Sequence, residues 1–338
     1  MAKRHRKGRP VHGILLLDKP EGGSSNHALQ RAKRLFGASK AGHTGSLDPL
    51  ATGMLPICFG EATKLSAFLL DADKGYETTL KLGITTDSAD ADGSVVQTRE
   101  VPDSLDYKQF VELCQRFTGS LMQVPPMVSA IKIDGQRLYK LARQGKEVER
   151  PARPVTIHQL EVLAFSGDTA RLAVRCSKGT YIRSLVTDIG EAIGCGAHVT
   201  ALRRTFVSPF EQHLMITLDT LEQMMTTLPD AQSDAQSDAQ SDAQSDAQSD
   251  DQLALWPALD ALLLPCDAGL AHMPIARLDE SSERGFFNGN AAPCELDRPV
   301  LPGTDPVCRV YDSAGRLAGL GGLADEKTVT PRRVLQWG

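Results

Sequence analysis

Aromatic residues are scarce in this chain, at 5% with two tryptophans, and no apolar run approaches the roughly 18 residues of a membrane-crossing helix. A membrane span is therefore not expected. The amino terminus, MAKRHRKGRPVHGILLLDKP, starts basic, but its apolar stretch is confined to Ile14–Leu17 and no small-residue cleavage site follows. Secretion is not expected, and a cytoplasmic location is. The seven cysteines (Cys58, Cys114, Cys176, Cys195, Cys266, Cys294, Cys308) are scattered, odd in number and never spaced as C-x-x-C, which fits a reduced interior rather than a disulfide framework. Cys195 and His198 have no matching pair of ligands elsewhere, so no metal is expected. The Asp90-Ala91-Asp92-Gly93 stretch fails as a calcium loop, because with Gly93 sixth the first position is Ser88 and the twelfth is Arg99. Neither a Walker loop nor a dinucleotide fingerprint is present, and no cofactor is expected.

What is there is ordinary in bulk: 41% hydrophobic and 23% charged residues, as in a soluble globular protein. At 338 residues the chain exceeds the roughly 100–200 of a typical domain, so two domains are expected. The net charge of -5 hides an asymmetry. Residues 1–229 hold 29 Lys+Arg against 24 Asp+Glu (+5), residues 230–251 hold seven Asp and no base (-7), and residues 252–338 hold 8 against 11 (-3). The large amino-terminal part is mildly basic, which permits phosphate contacts with a nucleic acid.

The acidic stretch is five perfect copies of Ala-Gln-Ser-Asp from Ala231 to Asp250. With nothing apolar to pack and like charges repelling, it reads as a flexible spacer and marks the best domain boundary. The expected division is a basic tail (1–10), a catalytic domain (11–229), the acidic linker (230–251) and a small β-rich domain (252–338). Before the linker, Val11–Leu17 reads as a buried strand, and Ser24 caps a helix with Ala28, Ala32, Leu35 and Phe36 on one face, ended by Gly37. Helices are predicted over Glu61–Leu70, Asp106–Phe117 and Tyr181–Ile193. Strands are predicted over Tyr76–Leu82, Val155–Phe165 and Thr169–Cys176, the last two paired through Ser166, Gly167 and Asp168. This order lacks the regular alternation of a parallel sheet and points to an α+β fold on a mixed or antiparallel sheet.

The segment richest in chemistry is Ala41–Lys64, AGHTGSLDPLATGMLPICFGEATK. Asp48 lies among Gly42, Gly45 and Gly53, with Pro49 after it, so a rigid turn can present its carboxylate; taken alone, the same pattern is a common structural turn. Gly42–Gly53 (GHTGSLDPLATG) resembles the signature of the bacterial tRNA pseudouridine-55 synthase family, the TruB type, close to G-H-T-G-T-L-D-P-x-A-T-G, with Ser46 as a departure that keeps a hydroxyl. Leu17–Asn26 is similar to the family's first motif, Gly75-Tyr76-Glu77 to its tyrosine motif, Thr85–Gly93 to the loop after it, Ser177–Leu185 to its arginine motif and Ala201–Thr205 to the segment that closes the pocket. The resemblance spans residues 11 to about 210; the carboxy-terminal part resembles the family's small PUA-like domain only weakly, and the Ala-Gln-Ser-Asp insert lies outside the pattern.

The resemblance implies an isomerase that detaches uracil from its ribose in the T loop of tRNA, turns it and rejoins it through carbon, by base flipping. It implies Asp48 as the covalent carboxylate, leaving open whether sugar or base is attacked. Arg183 is expected to keep that carboxylate ionised, because burial alone would raise its pKa. Tyr76 is expected to stack on the flipped base and to take part in proton transfer, with Tyr181 and Leu202 lining the same pocket. His43 is expected to meet the RNA beside the flipped nucleotide, while Lys19, Lys64, Arg203, Arg204 and the basic start (Lys3, Arg4, Arg6, Lys7, Arg9) would contact phosphates. A monomer without an obligate protein partner suits an enzyme that wraps one RNA arm. The competing expectation is a tRNA-binding and refolding protein with secondary or lost catalysis. A glycoside hydrolase lacks a second acid to pair with Asp48.

Overall fold

The computed structural model of the chain describes residues 8–129, 132–133, 136–138, 148–226, 250–299, 306–325 and 327–337. The basic tail through Lys7 and residues 230–249 of the spacer, including nearly all of the repeat, lie outside the described residues. Among those described, no helix is long and apolar enough to cross a membrane.

A nine-stranded mixed sheet carries the site, with helices packed around it, as the α+β expectation requires. Its path runs Ile216–Thr217, Gly13–Lys19, Thr52–Phe59, Ala197–Val207, Lys74–Leu82, Thr169–Cys176, Arg153–Ser166 and Gly119–Gln123, with Ala41–His43 added beside Thr52–Phe59. Strand Gly13–Lys19 shows why a near-continuous apolar run was needed there. Leu15 and Leu17 face a core with Leu29, Ala32 and Phe36, while Ile14 and Leu16 face the other side with Met54, Cys58 and Leu69. The pleat sends alternate side chains to opposite faces, and both faces are covered. Each such buried side chain is worth about 1.5–3 kcal/mol.

The helix predicted from Ser24 spans Ser25–Leu35, and the Ser24 hydroxyl accepts from the His27 amide at 3.1 Å. Helix Tyr107–Gln115 begins with a reciprocal cap between Asp106 and Gln109. The predicted helix over Glu61–Leu70 is instead a 3-10 turn, Gly60–Lys64, followed by a short α-helix, Ser66–Leu70. The Thr63 hydroxyl donates back to the Gly60 carbonyl at 2.7 Å and the Ser66 hydroxyl to the Thr63 carbonyl at 2.9 Å. Such local bonds compete with the regular helical ladder.

Two central strands, Thr52–Phe59 and Ala197–Val207, were not anticipated. They form a short parallel pair, Thr52 opposite Arg203 and Gly53 opposite Arg204, which antiparallel neighbours flank on both sides. Gly53 adopts φ 98°, and a Cβ there would lie 2.2 Å from the Arg204 carbonyl oxygen. Only glycine lets the two backbones meet so closely.

The carboxy-terminal part is β-rich, as expected: six strands in the order Ala292–Pro293, Thr328–Val334, Leu317–Asp325, Val307–Tyr311, Ile275–Arg277 and Glu295–Leu296. Ala276, Phe286, Cys308, Val310 and Val329 form its own core. Leu317, Leu320 and Leu335 instead join the cluster of Ile14, Leu16 and Met54, so this sheet is docked on the back of the large one.

Candidate active site

The loop carrying Asp48 leaves strand Ala41–His43 and enters strand Thr52–Phe59. Its shape is held from below. The Ser25 hydroxyl accepts from the Leu47 amide at 2.7 Å and lies 3.0 Å from the Leu47 carbonyl. The Lys19 ammonium donates to the carbonyls of Pro20 (2.8 Å), Pro49 (3.2 Å) and Ala51 (2.8 Å). Gly45 turns the chain at φ 73°. With its backbone groups so occupied, the loop presents the Asp48 carboxylate outward on a rigid base.

Arg183 sits in the first turn of helix Ile182–Ile193 and is only 3% exposed. Its Nη2 lies 3.0 Å from Asp48 Oδ2, and its Nη1 lies 3.4 Å from Asp90 Oδ2. The same guanidinium donates to the Ser88 carbonyl (2.8 Å) and the Val128 carbonyl (2.7 Å), so its orientation is fully constrained. Burial pushes the Asp48 carboxyl above its ordinary value, Arg183 pulls it back down, and Asp90 opposes Arg183. The balance is upward, so Arg183 offsets the desolvation only in part. The Asp48 side chain keeps 39% exposure, so water still screens this pair.

Asp90 was dismissed with the calcium loop, yet the fold delivers it to Arg183. Ala89 is the single non-glycine residue at positive φ (62°) among the described residues, and the Ser88 hydroxyl and Asp92 amide both bond to Asp90 Oδ1, at 2.5 and 3.2 Å. The signal that could have found it was an acidic residue in a tight, glycine-ended loop with no cation of its own nearby in sequence. Gln123 was also missed. Its side-chain amide bonds both ways to the Tyr181 backbone, donating to the carbonyl at 3.0 Å and accepting from the amide at 2.8 Å, and so fixes the entrance to the arginine helix.

A cavity of about 200 Å³ opens beside Asp48. Its lining includes Asp48, Tyr76, Tyr181, Arg183 and Leu202, five residues from four separate parts of the sequence. Burial pushes the phenols of Tyr76 and Tyr181 up from their ordinary values, so both are neutral hydrogen-bonding groups near neutral pH. The arrangement offers one carboxylate, one buried cation, two phenols and an apolar wall.

The remaining expected residues lie elsewhere. Lys19 is fully buried and occupied by its three carbonyls, which corrects its assignment as a phosphate contact: it supports the Asp48 loop. Lys64 pairs with Glu61 at 2.5 Å and donates to the Val334 carbonyl at 2.9 Å, tying the two sheets together; it does not reach the cavity. Arg204 is 1% exposed beneath the loop, so it cannot meet a phosphate, and Arg203 pairs with Asp18 at 2.6 Å. Arg9 is likewise engaged, with Asp260 and over the Trp256 ring. His43 is half-buried outside the cavity lining, its Nδ1 without a hydrogen-bond partner and its pKa lowered by burial and then by Arg204.

Solved structures share this architecture. A crystal structure of the archaeal box H/ACA sRNP aligns with a TM-score of 0.66 at 20% identity, covering 98% of this chain and 92% of that one. An H/ACA RNP bound to a substrate RNA containing 2'-deoxyuridine aligns with a TM-score of 0.66 at 21% identity, covering 99% and 92%. The sequence matches the TruB family pseudouridylate synthase (N terminal domain) over residues 33–182 and the tRNA pseudouridylate synthase B C-terminal domain over residues 183–271. Relatives called tRNA pseudouridine synthase B are 48% identical in Stutzerimonas stutzeri (99% of each chain) and 47% identical in Pseudomonas aeruginosa (99% of this chain, 100% of that one). The fold and site thus define a pseudouridine synthase. Within that class the chain belongs to the TruB family of pseudouridylate synthases.

Proposed function

We propose that this protein isomerises uridine 55 in the T loop of tRNA to pseudouridine, with Asp48 as the covalent catalyst. The observation that carries the reading is the Asp48 carboxylate held 3.0 Å from a buried guanidinium at the wall of a cavity that Tyr76, Tyr181 and Leu202 also line. The uridine leaves its stack and enters this cavity, where an aromatic ring and an apolar side chain replace the contacts it gives up. Asp48 forms a covalent bond to the nucleotide and the C1'–N1 bond breaks; the uracil turns, C5 is joined to C1' and the bond to Asp48 is released, while C5 loses a proton and N1 gains one, so that no atom is added or removed overall. The reaction is an isomerisation with no net redox change, and the residues around the cavity suffice for it.

Residues 11–229 form the catalytic unit in this reading, 230–251 the spacer and 252–338 a small PUA-like unit, in a cytoplasmic monomer that needs neither cofactor nor obligate protein partner. The test is pseudouridine mapping on a tRNA transcript. Wild type is expected to modify position 55, and Asp48→Asn to lose at least about 10⁴-fold in rate while still binding the tRNA. Normal turnover by the Asn variant would remove Asp48 from its role, and tRNA refolding without conversion by wild type would favour the binding-protein alternative.

A further inference from the structure

Arg204 is the largest of the side chains buried below 2% exposure, and no carboxylate among the described residues pairs with it. An isolated buried cation is costly, so its place is informative. Its Nε donates to the Met54 carbonyl at 2.6 Å and its Nη2 to the Gly45 carbonyl at 3.1 Å, the two flanks of the loop that presents Asp48. Arg204 stands directly opposite Tyr76 in the antiparallel pair, so both side chains leave the same face of the sheet. Burial raises the Tyr76 phenol above its ordinary pKa, the Arg204 guanidinium pulls it back down, and Asp48 adds to the rise.

We propose that Arg204 is a positioning residue for the isomerisation: clamped by Gly45 and Met54, it donates to the Tyr76 oxygen from behind and so turns the phenolic O–H into the cavity, as a polarised donor to the detached uracil. When the C1'–N1 bond breaks, its electron pair leaves with the uracil, and the ring carbonyl oxygens carry the charge. A neutral phenol backed by a fixed cation stabilises that charge without giving up its proton. Tyr76 itself therefore acts in front of Arg204, and Arg204 never touches the substrate. The inference rests on the proposed isomerisation.

The test reads the phenol and the rate separately. Protein labelled with ¹³C at tyrosine Cζ carries five tyrosines, and Tyr76→Phe identifies the Tyr76 signal. In Arg204→Gln without RNA, that signal is expected to shift while the other tyrosines stay in place. The single-turnover rate on tRNA transcript is expected to fall about 30-fold at unchanged tRNA affinity, less than for loss of a direct donor, and Arg204→Lys is expected to recover part of it. A stationary Tyr76 signal, a wild-type rate, or a Lys variant no better than Gln would overturn the proposal. If Arg204→Gln lacks the native far-UV spectrum, Arg204→Lys decides alone: a wild-type signal with a wild-type rate overturns it, and a displaced signal with a reduced rate supports it. Because the phenol is observed without RNA, its failure is separable from failure of wild type to modify uridine 55.

Discussion

Arg183 meets Asp48 at 3.0 Å from a position buried to 3% exposure, and the same guanidinium reaches Asp90 at 3.4 Å. One cation thus serves two carboxylates, one facing the cavity and one behind it. Burial holds Asp48 above the usual carboxylate range; Arg183 pulls it back only in part, and Asp90 opposes that pull.

That balance sets a stability prediction. A carboxyl raised in the folded state binds protons more readily there than in the unfolded chain, so its contribution is largest at low pH and is lost as pH rises through the folded-state pKa. Asp48→Asn is therefore expected to melt higher than wild type at pH 8, with the gap closing as pH falls. Thermal melts across pH 4–8, in steps of about one unit, check this. A variant that melts lower at every pH contradicts the upward shift.

The activity of wild type should follow the same group. In the proposed reaction the ionised form is the nucleophile, so the rate is expected to rise with pH through the raised Asp48 pKa, above the 3.8 of a free aspartate. Arg183→Lys keeps a charge but cannot serve Asp48, Asp90, Ser88 and Val128 together, since an ammonium has three donors and no planar fork. It is expected to lower the rate about 100-fold and to move the acidic limb to higher pH. A pH–rate profile under single-turnover conditions measures both effects.

Lys19→Met should cost about 2–4 kcal/mol, because it removes the donor from three carbonyls in a buried site. Burial lowers the Lys19 pKa from 10.5 to about 8. The unfolded chain then holds that proton more tightly, and wild type gains stability relative to the Met variant as pH climbs from about 8 toward 10.5. Denaturant unfolding at pH 7 and pH 9.5 distinguishes this from a pH-independent packing loss.

Gly53→Ala is expected to destabilise the fold by about 2–4 kcal/mol, since the new methyl meets the Arg204 backbone in a left-handed conformation. Calorimetry reads the stability. Because the strain falls between Asp48 and Arg204, the rate of pseudouridine formation should drop as well, even where the protein remains folded.

Much of this was legible in one dimension. The Gly42–Gly53 segment, the Ser24 cap, the helix predicted over Asp106–Phe117 and the paired strands ending at Ser166 and Thr169 are local patterns, and the fold realises them within a few residues. The central strands Thr52–Phe59 and Ala197–Val207 were not legible: Thr52–Phe59 is buried almost throughout and so lacks alternation, Gly53 and Pro56 mimic a turn, and the alternation of Ala197–Val207 is interrupted by a fully buried start and by register shifts at Thr200 and Thr205. The basic residues were misread for a related reason. A lysine in a motif looks the same in sequence whether it faces a phosphate or, like Lys19, three carbonyls of its own chain.

By itself the sequence determined the family, the α+β class and the carboxylate on which the chemistry is proposed to turn, because these depend on residue types at short spacing. Only the tertiary structure decided that Arg183 binds Asp90 as well as Asp48, that Gln123 pins Tyr181, and that Arg204 lies buried opposite Tyr76. The physical reason is that charges and hydrogen bonds acquire their strength from burial and direction, and both are set by elements far apart in the chain.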